Sequence, residues 1–209
     1  MKAKQIALVL VLVAAAWYLA SNGPKPGQQG PNGGQTQASA GADFQTGLKQ
    51  LNAAWEKHGI NASAYDFQPQ KLAALSESEV ADIRASLQAA SSGLSGASKE
   101  LAGIHLLLAG IAEGERNLGE AAKKIGALDF SAYCDNQELL KQKNGLMAGQ
   151  VQLLKQYKAK YDAFRAAYPS EATAAGLSGP IDLDVGALEA NLSEQQGTVL
   201  MLEKNCGGA

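Results

Sequence analysis

Between Pro69 and Pro169 the chain contains no proline. Nothing in that stretch removes a backbone donor or clashes with a preceding helical turn. The residues filling it are mainly Ala, Leu, Glu, Gln and Lys, which favour helix. Beyond the N-terminal segment the valines are Val80, Val151, Val185 and Val199, too few to build strands. No alternating apolar run of strand length occurs. The predicted class is all-α.

Apolar spacing sharpens that reading. A first helix is expected from Asp43 to His58, with Phe44, Leu48, Leu51 and Trp55 on one face and Gly59 stopping it. Residues 60–75, interrupted by Pro69, look irregular. Ser76 with Glu79 has the form of a capping box. From there a three-four seam runs Val80, Ile83, Leu87, Ala90, Leu94, Ala97, Leu101, Ile104, Leu108, Ile111, then Leu118, Ala122 and Ile125. It keeps phase through Ser91–Gly96, a stretch that disfavours helix by ~3–4 kcal/mol relative to alanine. The preserved phase predicts one long, kinked helix; the alternative is a hairpin turn.

Asp135 or Asn136 is expected to cap a helix reaching Tyr168, with a seam of Leu140, Met147, Leu154, Tyr157, Tyr161, Phe164 and Tyr168. Residues 169–183 read as loop. Asp182 or Asp184 then opens a last helix with Val185, Leu188, Leu192, Gln195, Val199, Leu202 and Cys206 on its seam. The expected architecture is an elongated antiparallel bundle of three to five helices with coiled-coil-like seams, occupying residues 43–209.

The first 42 residues differ. Lys2 and Lys4 precede an uncharged apolar run from Ile6 to Ala20 ending in Trp17-Tyr18. That pattern sets the N-terminus toward the cytoplasm. Cleavage after Ala20 or Ser21 would put Tyr18 or Leu19 where a small side chain is wanted, so residues 1–20 are expected to remain as a membrane anchor. The alternative is a cleaved signal and a secreted protein. Residues 21–42, rich in Gly, Pro and Gln with Lys25 the sole charge, read as a disordered linker spanning ~25 Å. The domain beyond it is therefore expected outside the cytoplasm. There an oxidising environment favours a disulfide between Cys134 and Cys206, which the antiparallel helices bring together.

Motifs for chemistry are absent. There is no H-E-x-x-H, paired E-x-x-H, G-x-S-x-G, Walker or C-x-x-C-H sequence. His58 reads as a cation at a helix C-terminus and His105 as a structural histidine among apolar residues. Glu115 falls where the seam wants leucine and is expected to turn outward beside Gly110, Gly114 and Gly119. The alternative is a buried acid facing a partner or paired with a basic residue. Lys141, Lys143, Lys155, Lys158, Lys160 and Arg165 read as a paired or solvated face rather than a polyanion site. A net charge of −2 gives no pull toward nucleic acid. Asn61 and Asn191 head glycan-acceptor triplets. The expectation is a non-enzyme with no catalytic, cofactor or metal residues, held to a membrane and contacting another protein or envelope material. The alternative is a bundle carrying or sensing an apolar ligand along Tyr157, Tyr161, Phe164 and Tyr168.

Overall fold

The computed structural model describes residues 38–62, 69–129, 133–181 and 183–206. The expected anchor, residues 1–20, and most of the expected linker lie outside them. Among the described residues the chain forms seven α-helices and no strand. None of these helices is long and apolar enough to cross a membrane. They are α1 (Ala38–Glu56), α2 (Pro69–Ala73), α3 (Glu77–Ser91), α4 (Gly96–Gly126), α5 (Gln137–Ala167), α6 (Pro169–Ala174) and α7 (Val185–Cys206).

The ends of these helices follow from local chemistry. α1 begins at Ala38, so the linker expected to run to residue 42 is helical in its last five positions. Ala38-Ser39-Ala40-Gly41-Ala42 is rich enough in alanine to extend the helix upstream. After α1, Gly59 adopts φ +73°; its N–H reaches the Glu56 carbonyl at 2.9 Å and that of Ile60 reaches Trp55 at 3.2 Å. This pair of bonds is a Schellman motif, which needs a residue free to enter the left-handed region. The expected capping box opens α3: Ser76 Oγ accepts from the Glu79 N–H, and Glu79 Oε2 accepts from the Ser76 N–H at 2.7 Å. Leu75 and Val80, the positions of a hydrophobic staple, are both buried.

The single long helix expected across 80–125 is instead two, α3 and α4, joined by residues 92–95. Ser91 and Ser92 turn their hydroxyls back onto the carbonyls of Gln88 and Ala89, each at 2.8 Å. That competes with helical propagation. Gly96, at φ +53°, then redirects the chain. The pairs Arg84–Glu113 (2.6 Å) and Glu77–Arg116 (3.8 Å) show that α4 returns antiparallel to α3. The seam kept phase because a four-residue turn is close to the 3.6 residues of one helical turn.

Residues 169–183, expected as loop, contain the short helix α6. Pro169 occupies its first turn, where a missing N–H costs nothing. A second Schellman motif ends it: Gly176 at φ +78°, with Leu177 N–H on the Ala172 carbonyl at 2.7 Å. Ala172, Ala175 and Leu177 are buried. α7 starts as expected, with Asp184 Oδ1 accepting from the Ala187 N–H at 3.0 Å. The excess over three to five helices thus comes from α2, α6 and the division of the long seam.

The described residues fall into two compact units, and α4 and α5 contribute to both. The larger comprises residues 38–116 and 153–181. In it α1 packs on α3 and approaches α4 closely at Gly47, where an added Cβ would stand 2.9 Å from Ser98 Oγ and 3.1 Å from Leu94 Cδ2. All four residues of the predicted α1 face, Phe44, Leu48, Leu51 and Trp55, are buried, alongside Ile83, Leu87, Leu101, Ile104, Ile111, Leu154 and Leu177. The Glu100–Lys160 pair, 2.8 Å, ties α4 to α5. The smaller unit comprises residues 117–152 and 183–206. Its apolar cluster is Ile125, Tyr133 and Leu140, with Leu128, Leu139, Val199 and Leu202 packed against it. Within the seam Ala121 is buried and the expected Ala122 exposed.

Leu51 has no exposed surface. Replacing it with alanine removes buried methylenes and leaves a cavity at the α1 interface, so Leu51→Ala is expected to cost ~2–5 kcal/mol in chemical denaturation. An unchanged midpoint would show that α1 does not contribute to the core in solution.

Candidate functional site

The two histidines occupy different environments. His58 follows α1, and its ring reaches across to α3 instead of serving the helix end alone: Nε2 lies 2.7 Å from Asp82 Oδ2, and Nδ1 3.8 Å from Glu79 Oε1. Lys57 joins the same cluster, 2.6 Å from Asp82 and donating to Ser86 Oγ at 2.8 Å. The hydrogen bond from Lys57, then that from His58, holds Asp82 below its ordinary carboxylate range. Glu79 is lowered chiefly by the Ser76 hydroxyl. His105 is buried, and its Nδ1 accepts from Trp55 Nε1 at 3.0 Å. The indole can only donate, so the imidazole is neutral with its proton on Nε2. Burial pushes its pKa down to about 3. Nδ1 is thereby occupied, which removes it as a metal or haem donor.

Glu115 departs from expectation. α4 continues through it without a break, and the side chain is buried at 8% exposure instead of turned outward. Its burial is what the alternative reading had. The basic residues of α5 behave as the paired face expected: Lys141 with Glu203, Lys158 with Asp162, Lys160 with Glu100, and Arg165 with the Ser178 carbonyl. Lys143 is half-buried, and desolvation lowers its pKa. The aromatic residues Tyr157, Tyr161 and Phe164 are buried; Tyr157 packs on Tyr161, and Phe164 on the half-buried Tyr168. Tyr161 donates to the Gly179 carbonyl at 2.9 Å, which fastens the segment after α6 to α5.

The smaller unit holds what the sequence reading missed. Asn144 and Gln150 of α5 and Gln195 of α7 are buried polar side chains, at 9%, 3% and 5% exposure. Asn144 Nδ2 donates to the Gln195 carbonyl at 3.1 Å. The pairs Cys134–Cys206, Lys141–Glu203 and Asn144–Gln195 run antiparallel. That register sets Gln150 across from Asn191, whose Oδ1 is also buried. Gln195 Nε2 and Asn191 Oδ1, one helical turn apart, have no hydrogen-bonding partner in the protein. A layer of neutral amides offers donors and acceptors but no acid, base or nucleophile, so it can fix register or hold a hydrogen-bonding guest without moving a proton. A signal for it existed. The α5 seam has a gap between Leu140 and Met147 that Asn144 fills, and Gln195 stood on the α7 seam.

Cys134 and Cys206 meet at the end of this unit, with sulfurs 2.02 Å apart and Cα atoms 5.4 Å apart, the distance of a disulfide. Of the glycan triplets, Asn61 is exposed, whereas Asn191 lies within α7, half-buried, with its amide oxygen buried. Among the described residues no cluster of His, Cys, Asp and Glu is arranged to hold a metal ion. No protein family, curated protein or solved structure matches this chain.

An unpartnered buried donor costs ~1–3 kcal/mol. Gln195→Met keeps the volume and removes it, and is expected to raise stability by ~1 kcal/mol in urea unfolding. A loss of stability would show that Gln195 makes a bond essential to the unit.

Proposed function

We propose that this chain is an exported, non-catalytic helical module, an antiparallel bundle tethered by residues 1–20 to a membrane. Its N-terminus is cytoplasmic, and its helices contact another protein or envelope material. The observation that carries this reading is the cysteine pair. Residues far apart in sequence are brought to bonding distance by α5 and α7, an arrangement that belongs to oxidising compartments. The apolar run Ile6–Ala20 supplies the means of export. Leu200 and Met201 stand out from α7 at 64% and 53% exposure and give the module apolar surface to offer. Lys141, Lys158, Lys160 and Arg165 of α5 are engaged by carboxylates and a carbonyl, which argues against nucleic acid as a partner.

Fractionation with intact-mass analysis tests the proposal. The protein is expected in the membrane fraction, with residues 1–20 retained and a mass short of the two thiol hydrogens. Two alkylatable thiols in protein taken directly from cells, or a mature N-terminus between Trp17 and Asn22, would overturn it. Replacing either cysteine is expected to remove ~4 kcal/mol of stability, the loop-closure value for a separation of 72 residues, while helix content is kept.

A further inference from the structure

α7 meets the smaller unit along one line of residues. Gln195 is its buried position, with Asn191, Val199 and Leu202 half-buried around it. The line on the opposite side of the helix, at three-four spacing, is Gly186, Ala190, Ser193, Gly197, Leu200 and Lys204. Among the described residues, the exposed large apolar side chains are Leu200 and its neighbour Met201. Small residues thus occupy the N-terminal part of the outer line and large ones its C-terminal end. We propose that this face joins two copies of the chain, paired antiparallel through α7 so that Leu200 of each covers Ala190 of the other.

The glycine in the middle of the face points to a second backbone as occupant. Gly197 lies inside a continuous helix, where glycine is the least favourable residue after proline. It is not among the glycines with positive φ, so the chain's own conformation does not call for it. A Cβ built on it meets nothing within 4 Å, so packing inside the protein does not call for it either. A bare position there permits close approach of another helix from outside. Leu200 and Met201 stand one turn farther along and close over such a neighbour.

Size and charge identify the neighbour as a second copy. A two-fold axis passing between Ser193 and Gly197 lays Leu200 of each copy on Ala190 of the other, Ser193 on Gly197, and Lys204 on Gly186. Each large side chain then meets a small one, as interdigitating helices require. A parallel pair would set leucine on leucine and leave gaps over Ala190 and Ser193. The carboxylate of Asp184 lies over Gly186, its Oδ1 3.3 Å from where a Cβ would stand. The antiparallel pair brings Lys204 to that carboxylate, and the symmetry makes the contact twice. A lipid surface is a poorer fit, because Asp184, Glu189 and Glu194 are exposed at the start and along the length of the same helix.

α7 has 22 residues, which is about 33 Å of helix. One helix laid on another buries less than the ~1,200 Å² of a standard interface, so the pair is weak and reversible. Copies held on one membrane are concentrated there, which favours such a pair. The proposal rests on the reading of α7 as a contact surface. Self-association is measured whether or not the chain is anchored, so the two can fail separately.

Sedimentation equilibrium of the full-length, oxidised protein in dilute non-ionic detergent, across the micromolar range, tests the pairing. The wild type is expected to pass from monomer to dimer as concentration rises. Leu200→Ala removes both leucines of a pair and is expected to weaken association about 100-fold. Ala190→Leu sets leucine on leucine and weakens it as well. The double variant, Ala190→Leu with Leu200→Ala, moves the large side chain to the other half of the same contact. It is expected to return to within about tenfold of the wild type. Positions 190 and 200 are exposed in the single chain, so all three variants are expected to keep the unfolding midpoint of the wild-type monomer. A wild type that stays monomeric throughout, single variants that associate like the wild type, or a double variant no tighter than the singles would each overturn the proposal. A face that serves a different protein or a lipid gives the first of these outcomes.

Discussion

An indole N–H and an imidazole nitrogen, bonded at 3.0 Å with both rings buried, set conditions that much of the larger unit meets. Buried polar atoms are expensive to leave alone, and here the indole N–H and the imidazole Nδ1 satisfy each other. Because the indole donates, His105 must be neutral and in one tautomer, which fixes the ring. Because Trp55 lies on α1 and His105 on α4, the bond also fixes the height of α1 against α4. The close approach at Gly47, where a side chain would collide with Ser98 and Leu94, is possible at that height. Apolar neighbours such as Leu51, Ile83 and Leu87 would tolerate small slips, but a single buried hydrogen bond does not.

The helices were legible in the sequence because their seams repeat over many residues. Phe44, Leu48, Leu51 and Trp55 are buried as their spacing required, and the capping box at Ser76 forms as written. What escaped was information carried by few atoms. The division of the long seam depends on two serine hydroxyls and the φ of Gly96, and periodicity is blind to a turn whose length matches a helical repeat. α6 is too short to show a period; proline at its start and Gly176 at its end were punctuation read as loop. The glycines beside Glu115 suggest a break that would turn it outward, yet α4 runs on and carries the acid inside.

The amide layer was hidden for a related reason. Asn144 and Gln150 look like surface residues when read singly, Gln195 is a lone amide on an apolar seam, and only the antiparallel register of α5 on α7 places them together. Gln195 is the one position of α7 buried fully enough to be called core. The helix that closes the smaller unit therefore has an amide where its neighbours would accept leucine. Such a position weakens the helix's grip and narrows the registers in which it can sit, since a slip would strand more polar atoms.

This bears on why the cysteines stand where they do. The smaller unit has the cluster around Ile125, Tyr133 and Leu140 at one end and amides farther along. A core of that size supplies little stabilisation against the entropy of ordering three helical segments. Cys134 precedes α5 and Cys206 ends α7, so a bond between them restrains the terminal helix at the level of the apolar cluster, next to Val199 and Leu202. The larger unit has no cysteine and a dense apolar interior. Covalent restraint thus falls in the unit where apolar burial is thinnest, on a helix whose register the buried amides also restrict.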